Sequence, residues 1–219
     1  MSKTTIPTGG LADASVSSAK IVDDAVGNTK LALDANYAFT GTISGAGQLI
    51  LLNTITIGND SSVNFNSTYI TNTYKHYRIV CIMVAFATDG ADFFMSPSEN
   101  NGSSFNAVNS YANCNFYDDT FRMTRNTGES SILIGSSVDG NDSEHHGTFN
   151  AIIDVFEPFN TSNSVAFKYE TASSDQSGNA VNFRNGNAIH STNTAVNYLK
   201  FSASSGNLAT GTIKLYGVK

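Results

Sequence analysis

Tyr74-Lys-His-Tyr-Arg-Ile-Val-Cys-Ile-Met-Val-Ala-Phe86 is the most continuously apolar run in the chain, and the fold follows from how it is read. Ile79, Val80, Ile82 and Val84 are β-branched, no helix-capping residue precedes the run, and Thr88-Asp89-Gly90 supplies turn chemistry after it. It therefore reads as a strand. Side chains on a strand alternate, so Tyr77, Ile79, Cys81, Met83 and Ala85 should share one face, and Arg78, Val80, Ile82, Val84 and Phe86 the other. Both faces are then apolar, which a sheet with one wet face does not allow. The expectation is a second sheet over one face and a neighbouring subunit over the other, with Val80, Ile82, Val84 and Phe86 forming the contact between subunits.

Working outward, Leu49–Ile57 reads as a strand with Leu49, Leu51, Ile55 and Ile57 on one face, closed by the turn Gly58-Asn59-Asp60. Ser62–Phe65 is a short strand feeding the central run. Beyond it, strand-like stretches recur at Ala91–Met95, Ser104–Tyr117 (interrupted), Thr120–Arg125, Ser131–Val138, Thr148–Phe156, Val165–Thr171, Ala180–Arg184, Val196–Ala203 and Thr210–Val218. Turn chemistry separates them, including Asn126-Thr-Gly128, Asp139-Gly-Asn-Asp142, Ser177-Gly-Asn179, Asn185-Gly186 and Ser205-Gly-Asn207. No stretch sustains a helical period with caps. Many short strands with Gly/Asn/Ser turns predict an all-β protein, a jelly-roll-like antiparallel β-sandwich over residues 48–219.

Composition narrows the function. Of 219 residues only 14% are charged, the net charge is −6 and no basic cluster occurs, which argues against a nucleic-acid partner. Twenty-five Asn against 12 Lys plus Arg give a surface that is polar without being charged. Cys81 and Cys114 both fall on strand-like segments and are expected to be buried free thiols. No apolar run approaches the roughly 20 residues of a membrane-spanning helix, and no signal-peptide core is visible. A protein made in the cytoplasm, soluble or exported within something larger, is the expectation.

Residues 1–47 differ from the rest and are read as an extended N-terminal segment and linker. Asp13-Ala-Ser-Val-Ser-Ser-Ala-Lys-Ile21 aligns with Asp23-Asp-Ala-Val-Gly-Asn-Thr-Lys-Leu31, so Leu11, Val16, Ile21, Val26 and Leu31 recur every five residues. That spacing suits neither a lone helix nor a lone strand. It makes sense if each apolar residue meets its equivalents in other copies or sits in a docking groove, the alternative being a weakly periodic leader without fixed structure. Together with the two apolar faces of the central strand it predicts a homotrimer, because closed cyclic symmetry buries such seams without an open edge.

The leader, with Tyr37-Ala-Phe-Thr-Gly-Thr-Ile43 after it, resembles the repeated leader of tail-fibre and other virion proteins of tailed bacteriophages. Gly211-Thr-Ile-Lys-Leu-Tyr-Gly-Val-Lys219 and Thr73-Tyr-Lys-His-Tyr77 are similar to the C-terminal β-sandwich domains of the same proteins. The resemblance implies a virion location, on the exterior of a tail or head. It implies a structural protein, either a fibre docked to another virion protein through its N-terminus or a capsid decoration protein.

Sites for chemistry are sparse. Glu144-His145-His146 beside Asp139 and Asp142 is the densest set of metal-ligand types, but adjacent histidines on a strand diverge and no zinc-protease spacing is present. Asp118-Asp119, or Asp154 with Glu157, invite a glycosidase reading that the absence of Trp weakens. No nucleophile elbow occurs. The expectation is a protein that is not an enzyme and uses no cofactor or metal. Polar turns on a rigid sandwich are where binding residues gather, so Asp142, His145, His146, Phe183 and Arg184 are the candidates for contact with a host cell-surface glycan.

Overall fold

The computed structural model describes residues 49–105, 108–117, 120–140, 149–174 and 181–219, with the backbone alone over 110–117 and 120–124. Twelve strands and no helix are found among them: β1 (Leu49–Asp60), β2 (Val63–Phe65), β3 (His76–Phe86), β4 (Ala91–Ser98), β5 (Val108–Tyr117), β6 (Thr120–Glu129), β7 (Ile132–Val138), β8 (Phe149–Phe156), β9 (Ala166–Ser174), β10 (Val181–His190), β11 (Tyr198–Ala203) and β12 (Leu208–Val218). They belong to the unit Gly47–Lys219. An eight-stranded sheet runs β1-β12-β3-β8-β9-β10-β5-β6 and a four-stranded sheet runs β2-β11-β4-β7. Both are antiparallel and pack as a sandwich.

The central apolar run is β3, which lies in the middle of the larger sheet between β12 and β8. Its inner residues Tyr77, Ile79 and Cys81 are buried against the smaller sheet's side chains. Phe93 sits at the heart of the core, edge-on to Phe86 (centroids 5.5 Å apart) and Phe149 (4.9 Å), and stacked on Phe201 (5.9 Å). Full burial of each such ring contributes on the order of 2–3 kcal/mol. The buried Tyr77 hydroxyl donates to the Thr71 carbonyl (2.6 Å) and accepts from the Thr71 amide (2.8 Å), so its polar end is satisfied.

Alternation in β3 fails at Met83. Its φ of 50° puts the backbone in the left-handed region, and the pairing with β8 skips from Cys81 to Val84. This is a β-bulge, which shifts every later side chain to the opposite face. Val84 and Phe86 therefore turn inward and are fully buried, while Met83 is 53% exposed. The expected subunit-contact set is corrected accordingly: Val80 and Ile82 lie on the outer face, and Val84 and Phe86 are core. Opposite the bulge, Gly211 in β12 has φ 122°, and a Cβ there would come within 2.7 Å of the Met83 carbonyl oxygen and Val84 Cα. Only glycine lets β12 pass so close.

The same device operates in β1. Register slips between Leu51 and Asn53, so Leu49 and Leu51 face outward while Ile57 is buried, splitting a set that alternation places together. Asn185-Gly186 proves to be strand, inside β10, rather than a turn. Glycine is needed there because the Tyr169 ring lies against it, and a Cβ would fall 2.2 Å from the ring's Cζ. Cys81 is a buried free thiol, and burial pushes its pKa far above the ordinary thiol range.

Candidate functional site

The outer face of the eight-stranded sheet carries the most conspicuous unburied apolar surface of the described residues. Three cross-strand pairings set one row across it: Lys214 of β12 opposite Val80 of β3, Val80 opposite Ile152 of β8, and Ile152 opposite Glu170 of β9. One step along the strands, Ile82 pairs Thr212, and Ala172 pairs both Asn150 and Phe183 of β10. Val80, Ile82, Ile152, Ala172 and Phe183 together line a shallow groove of about 330 Å3. Ile82, Ile152 and Phe183 remain 37%, 45% and 40% exposed. Isolated surface hydrophobes are ordinary; a contiguous apolar groove across four strands marks an interaction surface.

Charges border the groove on its other long side. Arg78 donates from Nε and Nη2 to the two oxygens of Asp154 (2.8 and 3.0 Å), directly across from it on β8. His76 Nε2 lies 2.7 Å from Asp154 Oδ1, and its ring stacks on Phe156 with centroids 4.7 Å apart. Burial by itself would raise the Asp154 carboxyl pKa, but the hydrogen bonds from Arg78 and His76, with their charge, outweigh it and hold the pKa below its ordinary value. The Asp154 hydrogen bond in turn raises the Arg78 guanidinium. Lys168 and Glu170 pair at 2.9 Å on β9, both about half exposed. The arrangement is a self-satisfied ionic row beside an apolar strip, suited to holding a surface in register and not to proton transfer.

The residues expected to bind do not converge. Phe183 stands on the groove's rim, but its neighbour Arg184 points the opposite way, is only 4% exposed and hydrogen-bonds the Tyr169 hydroxyl. Arg184 is thus withdrawn from the receptor-contact set, because adjacent residues on one strand face opposite sides. Asp142, His145 and His146 lie outside the described residues, as do Leu11, Val16, Ile21, Val26 and Leu31. Asp139, read as the first residue of a turn, is 1% exposed just after β7. Of the carboxylates considered for sugar hydrolysis, Asp154 is held by Arg78 and His76, and Glu157 by Lys75 at 3.2 Å.

Ile152, Arg78, Lys168 and Glu170 were not singled out from sequence as site residues. A signal was present: in Phe149–Phe156 the even positions Asn150, Ile152 and Asp154 alternate with Phe149, Ala151, Ile153 and Val155, which are buried. An isoleucine among outward polar residues is the mark of a partly covered face.

Two other clusters are built differently. His190 is fully buried, with Nδ1 3.2 Å from the Thr192 carbonyl oxygen and 3.6 Å from Glu99, whose carboxylate accepts from the Thr192 hydroxyl. Buried so, the imidazole fastens the segment after β10 to the end of β4. An open polar cleft of about 500 Å3 lies beside it, bordered by Asn109, Thr127, Ser164 and Ser191. Among the described residues, no group of three or more His, Cys, Asp or Glu side chains is placed to hold a metal ion.

Compared with known proteins, the chain matches no family model, no curated protein and no solved structure. The fold and surface define its class: an antiparallel β-sandwich with an apolar strip on the outside of its larger sheet.

Proposed function

We propose that this chain is a structural virion protein of the tailed-phage type, a homotrimeric fibre or appendage joined to another virion protein through its N-terminal segment. The observation that carries the reading is the apolar groove of Val80, Ile82, Ile152 and Phe183 on the outer sheet face, where Ile82, Ile152 and Phe183 remain part-exposed. A surface of that kind is stabilised by a partner, and closed cyclic self-assembly covers it without leaving a sticky edge. The leader with Leu11, Val16, Ile21, Val26 and Leu31, and its resemblance to phage virion leaders, supports the virion assignment. Such a protein works by position and avidity, without catalysis: several weak contacts of a displayed sandwich with a host-surface glycan add up when copies are held together. Phe183, on the groove, belongs to assembly in this reading, and Asp142, His145 and His146 are the glycan-contact candidates.

Antibody labelling of whole particles tests it. Signal at a tail or vertex supports the appendage, signal over the entire shell moves the assignment to a capsid decoration protein, and particles without the chain reject both.

A further inference from the structure

We infer that the groove is covered by further copies of this chain arranged about an axis parallel to the strands of the larger sheet, with Lys214 of one copy paired to Glu170 of the next. The inference rests on the self-assembly reading above and adds to it the face, the direction of the axis and the contact that fixes register. Its basis is the charge pattern about the apolar strip. The row Lys214–Val80–Ile152–Glu170 ends in a cation on β12 and an anion on β9, and the row beside it carries Arg78, Asp154 and Lys168. Arg78 and Asp154 are opposite neighbours and satisfy each other. Lys214 and Glu170 cannot. They stand three strand spacings apart, about 14 Å, with Val80 and Ile152 between them.

Lys214 is part-exposed and has no ion partner among the described residues, whereas Glu170 is paired with Lys168, whose Nζ lies 2.9 Å from its Oε1. A carboxylate accepts from two cations at once, so Glu170 has capacity for a second. The register then selects the symmetry. Lys214, Val80, Ile152 and Glu170 lie at one level along the strands. Rotation about an axis parallel to the strands changes no level, so the β12 side of one copy meets the β9 side of the next with Lys214 beside Glu170 and the Val80–Ile152 strip turned toward the axis. A copy displaced along the strands would lose both the ion pair and the apolar match. Complementary charges at the rim and a desolvated apolar centre are what specify such a contact.

Charge reversal in the full-length chain tests this. K214E and E170K each set like charges against one another, and each should raise the concentration at which half the chain is assembled by about tenfold or more. The double variant K214E/E170K restores opposite charges and should recover most of the loss, while circular dichroism shows the same β spectrum throughout. Zero-length carbodiimide coupling of wild-type chains, half of them isotope-labelled, should give a Lys214–Glu170 amide that joins labelled to unlabelled copies. Assembled wild type whose single variants assemble equally well, or whose cross-links between copies exclude this pair, overturns the inference and leaves self-assembly standing. A wild type that is monomeric removes both.

Discussion

β3 and β8 are paired neighbours in the same sheet, covered by the same core on one side, yet counting residues reads only one of them correctly. In β8 the inner set Phe149, Ala151, Ile153 and Val155 alternates with the outer set Asn150, Ile152 and Asp154 to the end of the strand. In β3 the alternation holds from Tyr77 to Ile82 and then inverts at Met83. The difference teaches that an unbroken apolar run is not proof of two covered faces. Part of the run is apolar because a bulge redirects Val84 and Phe86 into the core, and only Val80 and Ile82, with Met83, are left to the outside.

The strongest way to break this comparison is to truncate a residue whose side the bulge decides. Phe86→Ala should cost about 3–5 kcal/mol in urea denaturation, as a cavity in the Phe93 aromatic cluster demands. Met83→Gln, with its side chain outside, should cost less than about 0.5 kcal/mol. Strict alternation predicts the opposite order.

A smaller effect is expected from removing the feature that accommodates the bulge. Gly211→Ala places a Cβ against Met83 and Val84 at a φ that other residues adopt only under strain, and should cost about 1–3 kcal/mol in the same measurement. No bulge lies between β8 and β9, so this sensitivity should be specific to the β3–β12 seam.

The ionic row sharpens the comparison from the β8 side. Asp154→Asn should cost about 1–2 kcal/mol at neutral pH, reduced from a fully buried charged pair by the exposure of Arg78. Because the folded-state pKa of Asp154 is depressed, its stabilisation is complete above the ordinary carboxyl value near about 4 and is lost as pH falls through the lower folded value. Wild type should therefore lose this increment below about pH 4 in an acid titration of stability, and the Asn variant should not.

Much of the architecture was legible because strands announce themselves by β-branched runs and Gly/Asn/Ser punctuation. The sandwich, the central place of Tyr74–Phe86 and the outward position of Val80 and Ile82 follow from that pattern. Bulges were not legible: Met83 and Leu52 are not residue types that favour a bulge, and at Met83 it is the close pass of β12 at Gly211 that accommodates the irregularity. Asn185-Gly186 misled for a related reason, since its glycine answers to the Tyr169 ring across the sheet and not to a turn. Phe183 and Arg184 stand together in the expected binding set, yet they are adjacent on one strand, which sends them to opposite faces. Half the site, Ile152 set between Val80 and Glu170 together with the Arg78–Asp154 pair, depends on which strands become neighbours, a property of topology that no local stretch contains.

The central claim, that the outer apolar groove is where copies of this chain meet, is tested most directly by the mass of the full-length protein in multi-angle light scattering at micromolar concentration, for wild type and for Ile152→Asp. Wild type is expected at three times the 23.2 kDa of one chain, and Ile152→Asp, with a carboxylate in the strip but an unaltered core, at the mass of a single chain. A monomeric wild type, or an Ile152→Asp variant that stays fully assembled, would contradict it.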